Sequence, residues 1–469
     1  MGSGRTVECV TRPTTLGALR ATPHQHRSVK EELRTNLVAA LRSGASAFPG
    51  IVGFDDTVLP QVERALLAGH DLVLLGERGQ GKTRLMRTLV GLLDEWTPVV
   101  EGCEINDHPY APTCTRCRRL AGELGDELPV AWKHREERYG EKLATPDTSV
   151  GDLVGDVDPV KVAEGRTLGD PETIHYGLVP RTNRGIFALN ELPDLAERIQ
   201  VALFNVLEER DIQVRGYLLR LPLDVLLVAS ANPEDYTNRG RIITPLKDRF
   251  GAEIRTHYPL EVSEELVLIR QEAQLAAPVP DFLLEVVARL TRGLRESPSI
   301  DQRSGVSARF AITAAETIGA SALRRSALTG EADPVARVCD VPGVLPTLHG
   351  KVEFEMGEEG REQEIFGHQL RVAVAETFRD RLRGLDLGGF SNRFAEGSTV
   401  ETGELTRGDE LLDQLGTIPG LAKVLERLDL GDAPSHGEVA SAVEFVLEGL
   451  HLTRRLAKET VDGVTYYGA

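Results

Sequence analysis

The chain has 469 residues, length enough for about three domains. It is acidic, with 54 Lys and Arg against 72 Asp and Glu and a formal net charge of -18, which argues against broad binding to a nucleic-acid backbone. No run of about 18 apolar residues exists to span a membrane, Met1–Val10 lacks the apolar core of a signal peptide, and five cysteines make no disulfide scaffold, so a cytoplasmic protein without a membrane partner is expected.

Residues 1–47 read as an N-terminal segment with one amphipathic helix, Ser28–Leu41, whose Val29, Leu33, Leu37, Val38 and Leu41 share a side. Residues 48–260 read as an α/β nucleotide-binding domain. Its turn-rich lead-in Phe48–Gly53 precedes a helix over Asp55–Ala68 and a buried strand over Asp71–Leu75. Residues 101–146 interrupt the α/β rhythm and hold three of the five cysteines. Alternation resumes with a strand at Gly185–Leu189, a helix at Leu195–Arg210, a hairpin over Asp211–Leu221 around Gly216 and a strand at Asp224–Ala229. Repeated strand–helix units with apolar strands imply a parallel sheet covered on both faces. After about residue 260 the strands are expected to stop. Helices at Val262–Leu275, Asp281–Leu294 and Ser307–Ser326 make a helical lid over 261–330. Residues 331–469 read as a mainly helical region, with helices at Gly360–Arg383 and Gly437–Lys458 and a Gly/Ser/Thr-rich loop over Gly384–Gly408.

The chemistry starts at Gly76-Glu77-Arg78-Gly79-Gln80-Gly81-Lys82-Thr83, a G-x-x-x-x-G-K-[ST] pattern between a strand and a helix. Its glycines let the backbone amides turn inward, and with the helix start they favour phosphate. Lys82 is expected on the β- and γ-phosphates of ATP, and the Thr83 hydroxyl on Mg²⁺. The next strand ends Leu189-Asn190-Glu191. Glu191 suits the polarisation of attacking water. Asn190 stands where an Asp is expected near Mg²⁺; its carbonyl still accepts from a metal-bound water but brings no charge. Asn232, after the following strand, is placed to orient water beside the γ-phosphate. Arg249, in Leu246-Lys247-Asp248-Arg249-Phe250, is placed to reach a neighbouring subunit's nucleotide; a surface pair with Asp248 is the plainer alternative. Arg309 opens a lid helix and is placed to contact the nucleotide from that side.

Cys103, Cys114 and Cys117 cluster, with Cys114-Thr115-Arg116-Cys117 forming a C-x-x-C knuckle suited to tetrahedral Zn²⁺. His108, or Asp107 beside it, would complete the four ligands.

Over roughly residues 48–328 the chain resembles an AAA+ ATPase of the magnesium-chelatase I-subunit group, close to MoxR-type ATPases. The resemblance rests on the lead-in Phe48–Gly53, the loop Gly76–Thr83, Asp152-Leu153-Val154-Gly155-Asp156-Val157-Asp158, Glu164-Gly165-Arg166, Gly177-Leu178-Val179 and Arg184-Gly185-Ile186. It implies a P-loop AAA+ parallel-sheet core with a helix-2 insertion (Val150–Arg184) and a pre-sensor-1 hairpin (Asp211–Leu221), both facing a ring pore. It also implies Glu191 as the Walker B Glu, Asn232 as sensor 1, Arg249 as the arginine finger and Arg309 as sensor 2. Some chelatase-like relatives carry a similar Gly-Cys and later Cys-x-x-Cys at the cysteine insertion. The expected protein is an ATP-hydrolysing homo-oligomeric ring, a hexamer, working with a von Willebrand A-domain partner on metal insertion or protein maturation. Two alternatives remain. One is a sigma-54-type transcriptional activator, although the Gly-Ala-Phe-Thr-Gly-Ala loop of that group is absent from the sequence. The other is an ATP-gated scaffold with weak hydrolysis, Asn190 being its lesion.

Overall fold

A computed structural model describes residues 12–164, 173–208, 212–214, 217–219, 221–233, 242–301, 304–394, 398–461 and 464–468. The chain divides into two compact units, one of residues up to Gly76 with Gly81–Thr256, the other of Glu77–Gln80 with His257–Ala469.

The first unit is built on five parallel strands: β1 (Leu72–Leu75), β2 (Tyr139–Leu143), β3 (Gly185–Asn190), β4 (Val225–Ala231) and β5 (Ala252–Arg255). Their order across the sheet is β5-β1-β4-β3-β2. Both faces are buried, which is why β1, β3 and β4 read as unbroken apolar runs. Val73, Leu75, Phe187, Leu189 and Leu227 point into one core. Leu72, Leu74, Ile186, Ala188, Leu226 and Val228 point into the other. The helix Val29–Ser43 covers the second face. Ser28 and Glu31 close a capping box at its start, and Gly44 ends it in the left-handed conformation. Val29, Leu33 and Leu37 are buried as expected, but Leu41 is exposed, and the acid Glu32 takes a place on the buried side.

Other expectations shift. The helix expected from Asp55 begins at Leu59, where Pro60 suits the first helical turn and residues 55–58 form the turn before it. The strand Trp96–Val100 just before the cysteine-bearing segment pairs antiparallel with Val130–His134 inside it, and β2, a strand of the main sheet, follows. Val150–Arg184 holds a short helix (Val150–Leu153) and an antiparallel pair, Gly155–Val157 with Ile174–Tyr176. The Gly165-Arg166 part of its motif lies outside the described residues. The hairpin pairs Ile212–Val214 with Tyr217–Leu219, its Gly216 turn likewise outside them.

In the second unit, helices Val262–Glu272, Asp281–Glu296, Ala308–Thr329, Glu362–Arg381 and His436–Leu452 pack on one continuous apolar core, so lid and C-terminal region are not separate cores. Strands do not stop at residue 260. Val400–Gly403 pairs with Val464–Gly468, which pairs with Ala457–Val461, all antiparallel. The first of these lies inside the stretch expected as a loop. Among the described residues no helix is long and apolar enough to cross a membrane.

Candidate nucleotide site at the tip of the sheet

The G-x-x-x-x-G-K-[ST] loop leaves the end of β1. Gly79 and Gly81 have positive φ, +76° and +77°, a conformation open to glycine and costly for other residues. Gly81 is the N-cap of the helix Lys82–Thr88, so the amides of its first turn face the loop.

Parallel register brings three strand ends together behind the loop, with Leu75 beside Ala231 and Ala229 beside Leu189. Five of the expected residues meet there. The Lys82 ammonium donates to the Gly76 carbonyl and, at 2.9 Å, to Asn232 Oδ1. Asn232 Nδ2 donates to Glu191 Oε2 at 2.6 Å. The Thr83 hydroxyl donates to Asn190 Oδ1 at 3.0 Å. Glu191 has a φ of +56°, unusual for a residue with a side chain, and its N–H donates to Ser230 Oγ at 3.3 Å. Backbone strain of this kind gathers at functional sites because the surroundings must hold it.

Two further residues belong to this cluster. The Ser230 hydroxyl donates to Asn190 Oδ1 at 3.2 Å, and Asn190 Nδ2 donates to Glu141 Oε1 at 2.9 Å. Hydrogen bonds from the Arg87 guanidinium hold the Glu141 carboxyl below its ordinary range. The only sequence sign of Ser230 is its place two residues before Asn232. Glu141 had none, because Tyr-Gly-Glu-Lys-Leu carries no apolar run to mark β2 as a strand.

Arg249 does not join these groups. Its guanidinium pairs with Glu208, lies 3.7 Å from the Asp248 carboxylate and sits 5.1 Å from the Phe204 ring centre. Arg309 is exposed in the second unit, in the first turn of Ala308–Thr329. The N-cap Ser307 of that helix abuts Gly79, where any Cβ would collide with it.

At the cysteines, ligand atoms of Cys103, Asp107, Cys114 and Cys117 lie within 4.8 Å of one another. His108 is not among them. Its Nε2 lies 3.0 Å from His24 Nε2, its Nδ1 accepts from the Tyr110 N–H, and its ring packs on His24 and His26. Burial, then the charge of Arg184, pushes this imidazole down to about 2, so it is neutral. The expectation of His108 as a ligand is therefore corrected to its neighbour Asp107. Hydrogen bonds from the other two thiols hold Cys103 low, and Cys103 in turn pushes Cys114 and Cys117 up.

A phosphate loop after β1, this strand order and polar residues at the tips of β3 and β4 define a P-loop nucleotide-binding protein of the AAA+ class. The Sigma-54 interaction domain family matches residues 167–249. The chain is 27% identical over 252 residues to the magnesium-chelatase subunit ChlI of Nostoc sp., covering 52% of this chain and 63% of that one. It is 29% identical over 272 residues to the magnesium-chelatase 38 kDa subunit of Rhodobacter capsulatus, covering 54% and 69%. Among solved structures it overlaps the complex between BchI and BchD of magnesium chelatase, with TM-score 0.37, 21% identity and 66% and 97% coverage. It also overlaps NtrX from Brucella abortus, with TM-score 0.40, 14% identity and 81% and 72% coverage. Within the AAA+ class the chain is related to the magnesium-chelatase I subunits. Those matches take in about half of it and 63% of the Nostoc relative's length.

Proposed function

We propose that the chain binds and hydrolyses ATP as the subunit of a ring motor that remodels a partner or client. The observation that carries this reading is the linked set Lys82–Asn232–Glu191 and Thr83–Asn190 at the mouth of the phosphate loop. Backbone amides and Lys82 would bind the phosphates. Glu191, oriented by Asn232, accepts the proton of the attacking water. Thr83 and Asn190 would hold Mg²⁺, which supplies positive charge to the phosphates when bound; a hydroxyl and an amide oxygen suit that hard cation. Arg249 is exposed and serves the neighbour's site once it leaves Glu208. Arg309 takes the sensor 2 role that the resemblance implies.

The relationship to chelatase subunits, one solved with a BchD subunit, favours a hexameric ring with a von Willebrand A-domain partner. MoxR-like protein maturation and metal insertion are the two kinds of work this reading admits, in the cytoplasm. The match to the Sigma-54 interaction domain favours a second reading, transcriptional activation, which predicts binding to a sigma-54 polymerase.

A mixing experiment tests the shared site. Glu191→Gln and Arg249→Ala are each expected to lose nearly all turnover alone. Mixed, they regain a measurable part, because some interfaces then pair an intact Glu191 with an intact Arg249. Full activity of Arg249→Ala, or a silent mixture, contradicts a site completed in trans.

A further inference from the structure

We propose that Cys103, Asp107, Cys114 and Cys117 form a structural zinc site that ties the cysteine loop to the base of β3. Their ligand atoms span no more than 4.8 Å, and a tetrahedron with zinc–sulfur bonds of about 2.3 Å has edges of about 3.8 Å, so a small contraction closes the shell. The sulfurs already receive donors. The Asp107 N–H donates to Cys103 Sγ and the Cys117 N–H to Cys114 Sγ, both at 3.3 Å, the pattern that stabilises thiolates in a knuckle. The Asp107 side chain is 1% exposed, and the charge of Arg184 reaches it. Its oxygens accept from the Thr113 hydroxyl and the Cys114 N–H, which orient it and leave lone pairs for a metal. A buried carboxylate among thiols is costly unless positive charge balances it. Three sulfurs and one oxygen within this reach suit Zn²⁺, which takes four ligands in a tetrahedral shell. An opening lined by Cys103, Cys114, Arg116 and Tyr176 gives the ion a way in.

The site has structural reach. The Asn106 side chain donates to the carbonyls of Arg181 and Asn183, and the Asn183 side chain donates back to Ile105. Arg184 donates to Pro98 and Asn106 carbonyls and to Thr97. Those residues lead directly into β3, which ends at Asn190 and Glu191.

The test is elemental analysis of the untagged full chain, purified under reduction and incubated with Zn²⁺, beside Asp107→Asn, His108→Ala and Cys114→Ser. Stoichiometric zinc in the wild type and His108→Ala, with loss in the other two, is expected. Cobalt substitution of the wild type, read by thiolate-to-metal charge-transfer absorption, needs no variant. A wild-type chain without metal and without that absorption overturns the site. Full zinc in Asp107→Asn overturns the ligand set.

A second inference stands on a different observation and rests on the ATPase reading. We infer that Glu141 is a positioning residue that supplies, one side chain back, the negative charge missing at Asn190. Asn190 is buried, with Oδ1 toward Thr83 and Ser230 and Nδ2 on Glu141. Glu141 is itself clamped by Arg87 at 2.8 and 2.9 Å and by the Tyr139 hydroxyl at 3.1 Å. An Asp at position 190 would set a second carboxylate against Glu141, and two like charges at that distance cannot both ionise freely. On this view Asn190 is no lesion, because the acid has moved from β3 to β2.

ATP turnover and equilibrium binding of a fluorescent ATP analogue, each against Mg²⁺ concentration, test this in Asn190→Asp, Glu141→Gln and the double variant. Glu141→Gln is expected to raise the Mg²⁺ needed for half-maximal turnover several-fold. Asn190→Asp alone brings no gain, and the double variant recovers the wild-type Mg²⁺ dependence. A gain from Asn190→Asp alone, or an unchanged Mg²⁺ dependence in Glu141→Gln, overturns the inference. A wild type that binds ATP but never turns it over at any Mg²⁺ level sinks the ATPase reading beneath it, a result the variant series cannot mimic.

Discussion

Glu191→Gln is expected to cut ATP turnover by about 100-fold or more, the usual contribution of a positioned general base, while nucleotide binding stays close to wild type. The amide keeps the size of the side chain and its hydrogen bond with Asn232. It cannot take a proton from water. The loop amides and Lys82 are themselves unchanged, and Lys82 keeps its bonds to Gly76 and Asn232, so the affinity for ATP is expected to hold. Phosphate release and equilibrium binding of a fluorescent ATP analogue, measured on the same preparation, separate the two effects. A variant that keeps more than about a tenth of the turnover would remove Glu191 from the base role.

The second large effect is on stability. Arg138 and Glu32 are 1% and 5% exposed and form a bidentate pair, both bonds 2.7 Å. Arg138 also donates to the Arg184 carbonyl, and Glu32 accepts from the Asp94 N–H. The pair thus fastens the N-terminal helix to the entry of β2 and β3. Glu32→Ala leaves a buried guanidinium without its counter-charge, a change that costs about 3–5 kcal/mol. For a unit of this size that lowers the unfolding midpoint by about 10 °C. The apolar double replacement Glu32→Leu with Arg138→Met is expected to recover much of the loss, since it removes the desolvation cost of both charges. Thermal unfolding followed by circular dichroism reads both. A single variant within about 1 kcal/mol of wild type, the scale of a surface pair, contradicts a buried, solvent-free pair.

The nucleotide site was legible where chemistry forces residue type. A phosphate loop needs glycines, a lysine and a hydroxyl in a fixed pattern, and strands buried on both faces must be apolar, so β1, β3 and β4 stood out. The edge strand β2 did not, because its half-buried position admits Tyr139, Glu141 and Lys142, and with it Glu141 was hidden. The strands after residue 400 were hidden for a related reason. Val400–Gly403 sits in a stretch rich in Gly, Ser and Thr, and Ala457–Val461 directly follows a long apolar helix pattern that masks its start. The choice between Asp107 and His108 lies in packing that spacing does not encode: the His108 ring packs on His24 and His26, while Asp107 lies among the thiols. The contacts of Arg249 with Glu208, Asp248 and Phe204 had only one sign in the sequence, the adjacent Asp248.

The proposed nucleotide site works between copies of this chain. The most direct test is steady-state phosphate release by the wild-type protein across a wide range of its own concentration, with Lys82→Ala as the blank. A specific activity that rises with concentration to a plateau, absent in Lys82→Ala, is the predicted result. Tight ATP binding with a specific activity that is zero or flat at every concentration would contradict it.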